Sequence, residues 1–157
     1  MSSPPENLQS LKWIQGLKNL VKLKLEGSRI SEHDAAIQVL GNLPNLATLR
    51  LLDYSFDGEE VCFSFRREAF PSLNVLELYC IGNLKSVGFE GAAPKLELLQ
   101  YLDWGNIVGL FCGLAYLPSL KEFMLHESNW QATELVEHLR GQLEENINKP
   151  VLRRWGD

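Results

Sequence analysis

Leu43-Pro44-Asn45-Leu46-Ala47-Thr48-Leu49-Arg50-Leu51 places its leucines in an L-x-x-L-x-x-L-x-L spacing. Leu49 and Leu51 lie two apart, so on an extended strand both side chains point to one face. Leu43 and Leu46 stand upstream at intervals of three, which suits a corner that turns into the strand and fills the same interior. Pro44 fixes that bend and forfeits no ladder hydrogen bond.

The phrase returns along the chain. Leu17, Leu20, Leu23 and Leu25 carry it, as do Phe70, Leu73, Leu76 and Leu78, and Leu117, Leu120, Phe123 and Leu125. Ala93, Leu96, Leu99 and Tyr101 form a weaker copy, and Pro71, Pro94 and Pro118 repeat the position of Pro44. Successive copies are offset by 26, 27, 23 and 24 residues, within the ~20–29-residue period of leucine-rich repeats. One such unit cannot bury its apolar face alone. Stacked units set each leucine against its counterpart next door, and each buried leucine contributes about 1.5–3 kcal/mol relative to exposure. The expected fold is an α/β leucine-rich-repeat solenoid, a right-handed superhelix bent into a horseshoe arc. Its parallel strands line the concave side, and irregular or helical connectors form the convex side.

The expected boundaries follow. A partial N-terminal repeat occupies residues 1–15, with Leu8, Leu11 and Ile14 as its apolar positions. Five repeats fill 16–130, with strands near 21–26, 47–52, 74–79, 97–102 and 121–126. From Ala132 the period becomes helical, with Leu135, Leu139 and Leu143 four apart, which predicts a C-terminal capping helix over 131–148 and a tail over 149–157. Ser31-Glu32-His33-Asp34 resembles a capping box ahead of a helix that Gly41 can end. The charged stretch from Asp57 to Glu68 reads as a projecting loop, and 105–113 as a tight apolar convex turn. The position three after the second strand leucine is Ser28, Tyr54, Ile81, Trp104 and Ser128 in turn, so a regular asparagine ladder is missing.

Composition narrows the function. The formal net charge is −5, which argues against nucleic acid as main partner. No apolar run reaches the ~18 residues of a membrane span, and Met1-Ser2-Ser3-Pro4-Pro5 lacks the basic and apolar regions of a secretory signal. Cys62, Cys80 and Cys112 are odd in number and widely spaced, and read as reduced core thiols. There is no Asn-x-Ser/Thr site. A cytoplasmic location is the expectation.

Catalytic and metal chemistry finds little footing. Asp53-x-Ser55-x-Asp57-Gly58 opens like a calcium loop, but its twelfth position is Ser64 and not glutamate. Zinc needs close ligand pairs, yet there is no Cys-x-x-Cys, and His33, His126 and His138 are far apart. No nucleophile elbow is present. The expectation is no enzyme activity, no cofactor and no metal.

Strand alternation predicts which side chains face out on the concave sheet. The expected protein-binding surface is Lys22, Lys24, Arg50, Leu52, Val75, Glu77, Tyr79, Leu98, Gln100, Leu102, Met124 and His126, cationic at the first two strands and apolar beyond them. An apolar patch rimmed by charge marks a contact surface. Trp104 and Trp130 fall at corner positions suited to packing, and Trp13 suits a cover for the N-terminal end.

Gly16-Leu17-Lys18-Asn19-Leu20-Val21-Lys22-Leu23, Leu43-Pro44-Asn45-Leu46-Ala47-Thr48-Leu49, Phe70-Pro71-Ser72-Leu73 and Leu117-Pro118-Ser119-Leu120-Lys121-Glu122 resemble the C-terminal repeats of plant nucleotide-binding leucine-rich-repeat disease-resistance proteins, the cereal coiled-coil type above all. Phe56-Asp57-Gly58-Glu59-Glu60 and the run from Leu139-Arg140 to Pro150-Val151-Leu152 are similar to that group as well. The resemblance implies pathogen recognition and autoinhibition. Its implied partner is a protein: a pathogen effector, a guarded host protein, or the nucleotide-binding domain of a parent receptor. No Gly-x-x-x-x-Gly-Lys-Ser/Thr loop is present, so the expectation is the sensor region of such a receptor apart from its nucleotide switch. The alternative is a repeat scaffold or adaptor unrelated to immunity.

Overall fold

The computed structural model describes residues 13–103 and 110–156. In chain order its elements are β1 (Lys22–Leu25), α1 (His33–Gly41), β2 (Thr48–Leu51), β3 (Val61–Phe65), β4 (Val75–Tyr79), β5 (Leu84–Phe89), β6 (Leu98–Leu102), β7 (Phe111–Cys112), β8 (Glu122–His126), α2 (Thr133–Glu145) and β9 (Val151–Trp155). Short 3-10 turns cover Leu114–Tyr116 and Glu127–Asn129.

Among the described residues two sheets form. One has six strands in the order β1-β2-β4-β6-β8-β9, and the other has three, β3-β5-β7. Every pairing is parallel. The register sets Leu23, Leu49, Leu76, Leu99, Phe123 and Leu152 in one row and Leu25, Leu51, Leu78, Tyr101, Leu125 and Arg154 in the next. The upstream positions Leu46, Leu73, Leu96 and Leu120 are fully buried beneath them. This is a solenoid with one continuous core between the large sheet and its connectors.

The convex side is more ordered than the sequence suggests. Val61-Cys62-Phe63-Ser64-Phe65, expected within a projecting loop, is strand β3, with Val61, Phe63 and Phe65 buried. The glutamates and arginines flanking it hide a period-two apolar alternation. Of the expected 105–113 turn, residues 104–109, Trp104 among them, lie outside the described residues, while Phe111–Cys112 forms β7 against β5. Phenylalanines fill the space between the sheets. Phe65 meets Phe89 at 4.9 Å between ring centroids, and Phe111 lies edge-on to Tyr101 at 5.2 Å and to Phe123 at 5.1 Å. Such pairs add about 0.5–1.5 kcal/mol beyond their area.

Several other expectations change. Residues 151–155 are not a tail: β9 pairs with β8 over five residues, because Leu152 supplies the interior side chain that continues the leucine row. Helix α2 therefore connects two strands instead of ending the stack. It buries Leu135, Val136, Leu139 and Leu143. The capping box does not form, since α1 starts at His33, Glu32 sits at its N-cap, and no side chain caps it. The cysteines are not core thiols: Cys62 and Cys112 point outward from β3 and β7 and are exposed, and Cys80 is half-buried. Trp13, expected as a cover, is 70% exposed. Leu8 and Leu11 lie outside the described residues.

A polar ladder ties the corners together. Asn45 Nδ2 donates to Lys18 O at 2.7 Å, Ser72 Oγ to Pro44 O at 2.6 Å, Ser119 Oγ to Pro94 O at 2.7 Å, and Asn148 Nδ2 to Pro118 O at 2.5 Å. The equivalent position in the remaining repeat is Lys95. Buried asparagines lock the C-terminal half in a related way. Asn129 Nδ2 donates to Asp103 O at 3.1 Å, and Asn146 Nδ2 donates to both Leu114 O and Leu117 O, at 2.8 and 2.9 Å.

Candidate protein-binding surface

Alternation along the six-stranded sheet leaves three rows of side chains on its concave face. The first row runs Lys22, Thr48, Val75, Leu98, Glu122 and Val151. The middle row runs Lys24, Arg50, Glu77, Gln100, Met124 and Arg153. The third pairs Tyr79 with Leu102, and His126 with Trp155. Of the residues expected here, Lys22 and Lys24 are exposed, and Arg50, Val75, Glu77, Tyr79, Leu98, Gln100, Leu102, Met124 and His126 are all half-buried.

Leu52 departs from the expectation. It lies one residue past the end of β2 and is only 9% exposed. The chain turns there: Ser55 N–H donates to Leu52 O at 3.1 Å, and Tyr54 adopts φ 59°. Leu52 offers little to a partner.

The middle row is held by charge. Arg50 Nε donates to Glu77 Oε1 at 2.7 Å, an ion pair across β2 and β4. A carboxylate hydrogen-bonded to a guanidinium is a strong, directional contact, and it raises the Arg50 pKa further above its ordinary value. Arg153 pairs with Glu122 across β8 and β9. Lys22 and Lys24 are also exposed on this face, with Lys24 Nζ 4.0 Å from Glu26 Oε1.

The third row is aromatic. Trp155 lies 4.7 Å from the His126 ring at 83° and 5.5 Å from the Tyr79 ring. Because β6 and β8 separate β9 from β4, the indole reaches back across the face toward Tyr79. Its N–H is buried and has no hydrogen-bond partner among the described residues. Burial pushes the Tyr79 phenol up to about 12, with the neighbouring Glu77 carboxylate adding to the effect. His126 Nδ1 accepts from Ser128 N at 3.1 Å, capping the 3-10 turn that follows β8.

Val151, Arg153 and Trp155 share this candidate face, and the sequence reading did not include them. The signal was an alternation in Val151-Leu152-Arg153-Arg154-Trp155, which a single leucine made easy to overlook. The residues that suggested a calcium loop do not converge: Asp57 pairs with Arg29 at 3.3 Å, while Ser55 is buried. Among the described residues no group of three or more His, Cys, Asp and Glu could hold a metal ion. Among them, too, no helix is long and apolar enough to cross a membrane.

A family model described as a leucine-rich repeat region matches residues 6–152. Comparison with curated proteins finds no match. Regions of this family generally act as non-catalytic modules for protein interaction. With its strands stacked in register and nearly all of its length inside that match, the chain belongs to the leucine-rich repeat region family.

Proposed function

We propose that this chain is a protein-recognition module of the kind found in plant intracellular immune receptors, with the concave face as its contact surface. The observation that carries the site is the contiguous half-buried run of Tyr79, Leu102, His126 and Trp155, three of them aromatic, with the exposed cations Lys22 and Lys24 at the β1 end of the same sheet. Half-buried aromatics at the centre of a charged surface are the usual anchors of protein interfaces. The immune reading rests on the repeat phrases that resemble plant disease-resistance receptors. The three unpaired cysteines suit the reducing cytosol. The partner is an effector, a guarded host protein or a receptor's own nucleotide-binding domain, and the chain binds it without chemistry or cofactor.

The test is partner capture in plant leaf tissue, comparing the native chain with Tyr79→Glu, Leu102→Glu and Met124→Glu. A convex control, Lys85→Glu, sits at an exposed position on β5. A charge set into an interface centre costs at least about 2 kcal/mol, so affinity should fall about 30-fold or more. Folded concave variants that bind as well as the native chain would sink the proposed site. A concave partner with no role in defence would sink the immune reading and leave the site standing.

A further inference from the structure

A second charged feature lies on the β9 side of the stack, bordering the concave rows at His126. Trp130 follows the 3-10 turn after β8, and its Nε1 donates to Leu125 O at 3.1 Å, which fixes the indole. The guanidinium carbon of Arg140, on α2, lies 5.5 Å from the centroid of that ring, and that of Arg154, on β9, lies 5.3 Å from it. Two like charges thus converge on one aromatic group. An indole face attracts a guanidinium through its ring quadrupole, and each guanidinium carries five N–H donors with which to meet an acceptor.

Those donors have no carboxylate. Arg29, Arg50, Arg66 and Arg153 each form an ion pair, but among the described residues Arg140 and Arg154 form none. The surroundings are open. Trp130 and Arg154 wall a cleft of about 570 Å³ with His126, Glu127, Ser128 and Gln131. Arg140 walls a neighbouring cleft of about 270 Å³ that also contains Lys149 and Glu144. Glu127 is turned against Gly156, and Lys149 Nζ donates to Glu144 O at 2.6 Å. Three cations face two carboxylates here, in a chain whose net charge is −5.

We propose that Arg140, Trp130 and Arg154 form an oxyanion-binding site that takes a carboxylate or phosphate group carried on a peptide. A planar fork of N–H donors matches either group in bidentate fashion. The site meets the concave face at His126 but uses none of Tyr79, Leu102 and Met124, so its failure and the failure of that surface are distinguishable.

The experiment follows the arginine Nε–Hε resonances of the full chain, with nitrogen-labelled arginine, at constant ionic strength. The probes are inorganic phosphate and acetate, then three short peptides of one sequence bearing aspartate and glutamate, phosphoserine, or asparagine and glutamine. Saturable shifts confined to Arg140 and Arg154 are expected, with Arg29 and Arg66 as internal controls. Preference between the aspartate and phosphoserine peptides identifies the source of the oxyanion. The Arg140→Gln/Arg154→Gln double variant should lose about tenfold or more in peptide affinity. An Arg140→Lys/Arg154→Lys variant keeps the charge but not the fork, and should bind several-fold more weakly while remaining folded. Parallel drift of all arginines, equal binding of the amide peptide, or unchanged binding by the double glutamine variant would each overturn the proposal.

Discussion

Replacing Asn146 by alanine should destabilise the fold far more than its single polar side chain suggests. The residue is fully buried. Its Nδ2 serves Leu114 O at 2.8 Å and Leu117 O at 2.9 Å, and its Oδ1 accepts from Asn148 N at 2.8 Å. Each such bond contributes about 1 kcal/mol net, and a carbonyl left unpaired in the interior costs more. Three lost bonds therefore amount to about 3 kcal/mol, a large part of the ~5–15 kcal/mol that holds a typical domain together. For a chain of this size that is a fall of about 6–12 °C in Tm. Urea unfolding followed by circular dichroism would measure it. Asn146→Asp keeps the shape but turns an acceptor toward the two carbonyls, so at neutral pH it should be at least as damaging. Asn148→Ala, which removes one exposed corner bond, should cost about 1 kcal/mol or less. If Asn146→Ala falls within ~0.5 kcal/mol of the native chain, as an ordinary surface change would, the buried asparagine is not the lock described here.

Three further outcomes follow from the same geometry. With a chromogenic disulfide reagent at mildly alkaline pH, Cys62 and Cys112 should react quickly, being exposed. Cys80 should lag, because burial, with Asp53 and Asp103 nearby, pushes its thiol up to about 11 and keeps it protonated. The Tyr79 phenol is raised from 10.0 to about 12, so folding favours its neutral form; that stability is fully present below pH 10 and lost as pH rises toward 12. In alkaline unfolding titrations Tyr79→Phe should lose less stability over that window than the native chain, with the remaining slope owed in part to Tyr101, raised by burial and Asp103. Lys95→Ser should restore the missing rung of the corner ladder, donating to the preceding repeat as Ser72 and Ser119 do, and raise stability by a few tenths to about 1 kcal/mol in thermal melts.

The large sheet was legible because its code is redundant. At each strand two leucine-class residues two apart are announced by two more upstream, so even the weak copy at Ala93 keeps its register. The small sheet had no such redundancy. β3 shows a clean alternation, but Glu59, Glu60, Arg66 and Arg67 crowd its ends. β5 has a register shift against β3 between Val61 and Cys62, which breaks the two-residue period in Leu84-Lys85-Ser86-Val87-Gly88-Phe89. β7 is two residues long and carries no pattern at all. On the concave face, alternation identified the outward residues of the first five strands, and Leu52 failed because a turn, not a strand, decides its exposure. Trp155 was hard to see on the concave face: the alternation in Val151–Trp155 carries one leucine only, and nothing local says that an indole reaches across two neighbouring strands. The asparagine that local spacing sought at Ser128 stands one position later, at Asn129, where it bonds the backbone of Asp103.

The second sheet bears on how the scaffold bends. Neighbouring strands sit ~4.8 Å apart wherever they pair, so β3-β5-β7 imposes on the outer wall the same spacing that β4-β6-β8 imposes on the inner one. Walls of equal pitch stack straight. A helix is ~10–12 Å across with its side chains, and α1 and α2 widen the outer wall only toward the two ends of the array. Equal spacing of this kind predicts curvature at the margins and a more level panel where Val75, Tyr79, Leu98 and Leu102 stand. Such a profile suits the broad side of a folded domain better than the narrow rod of a lone helix.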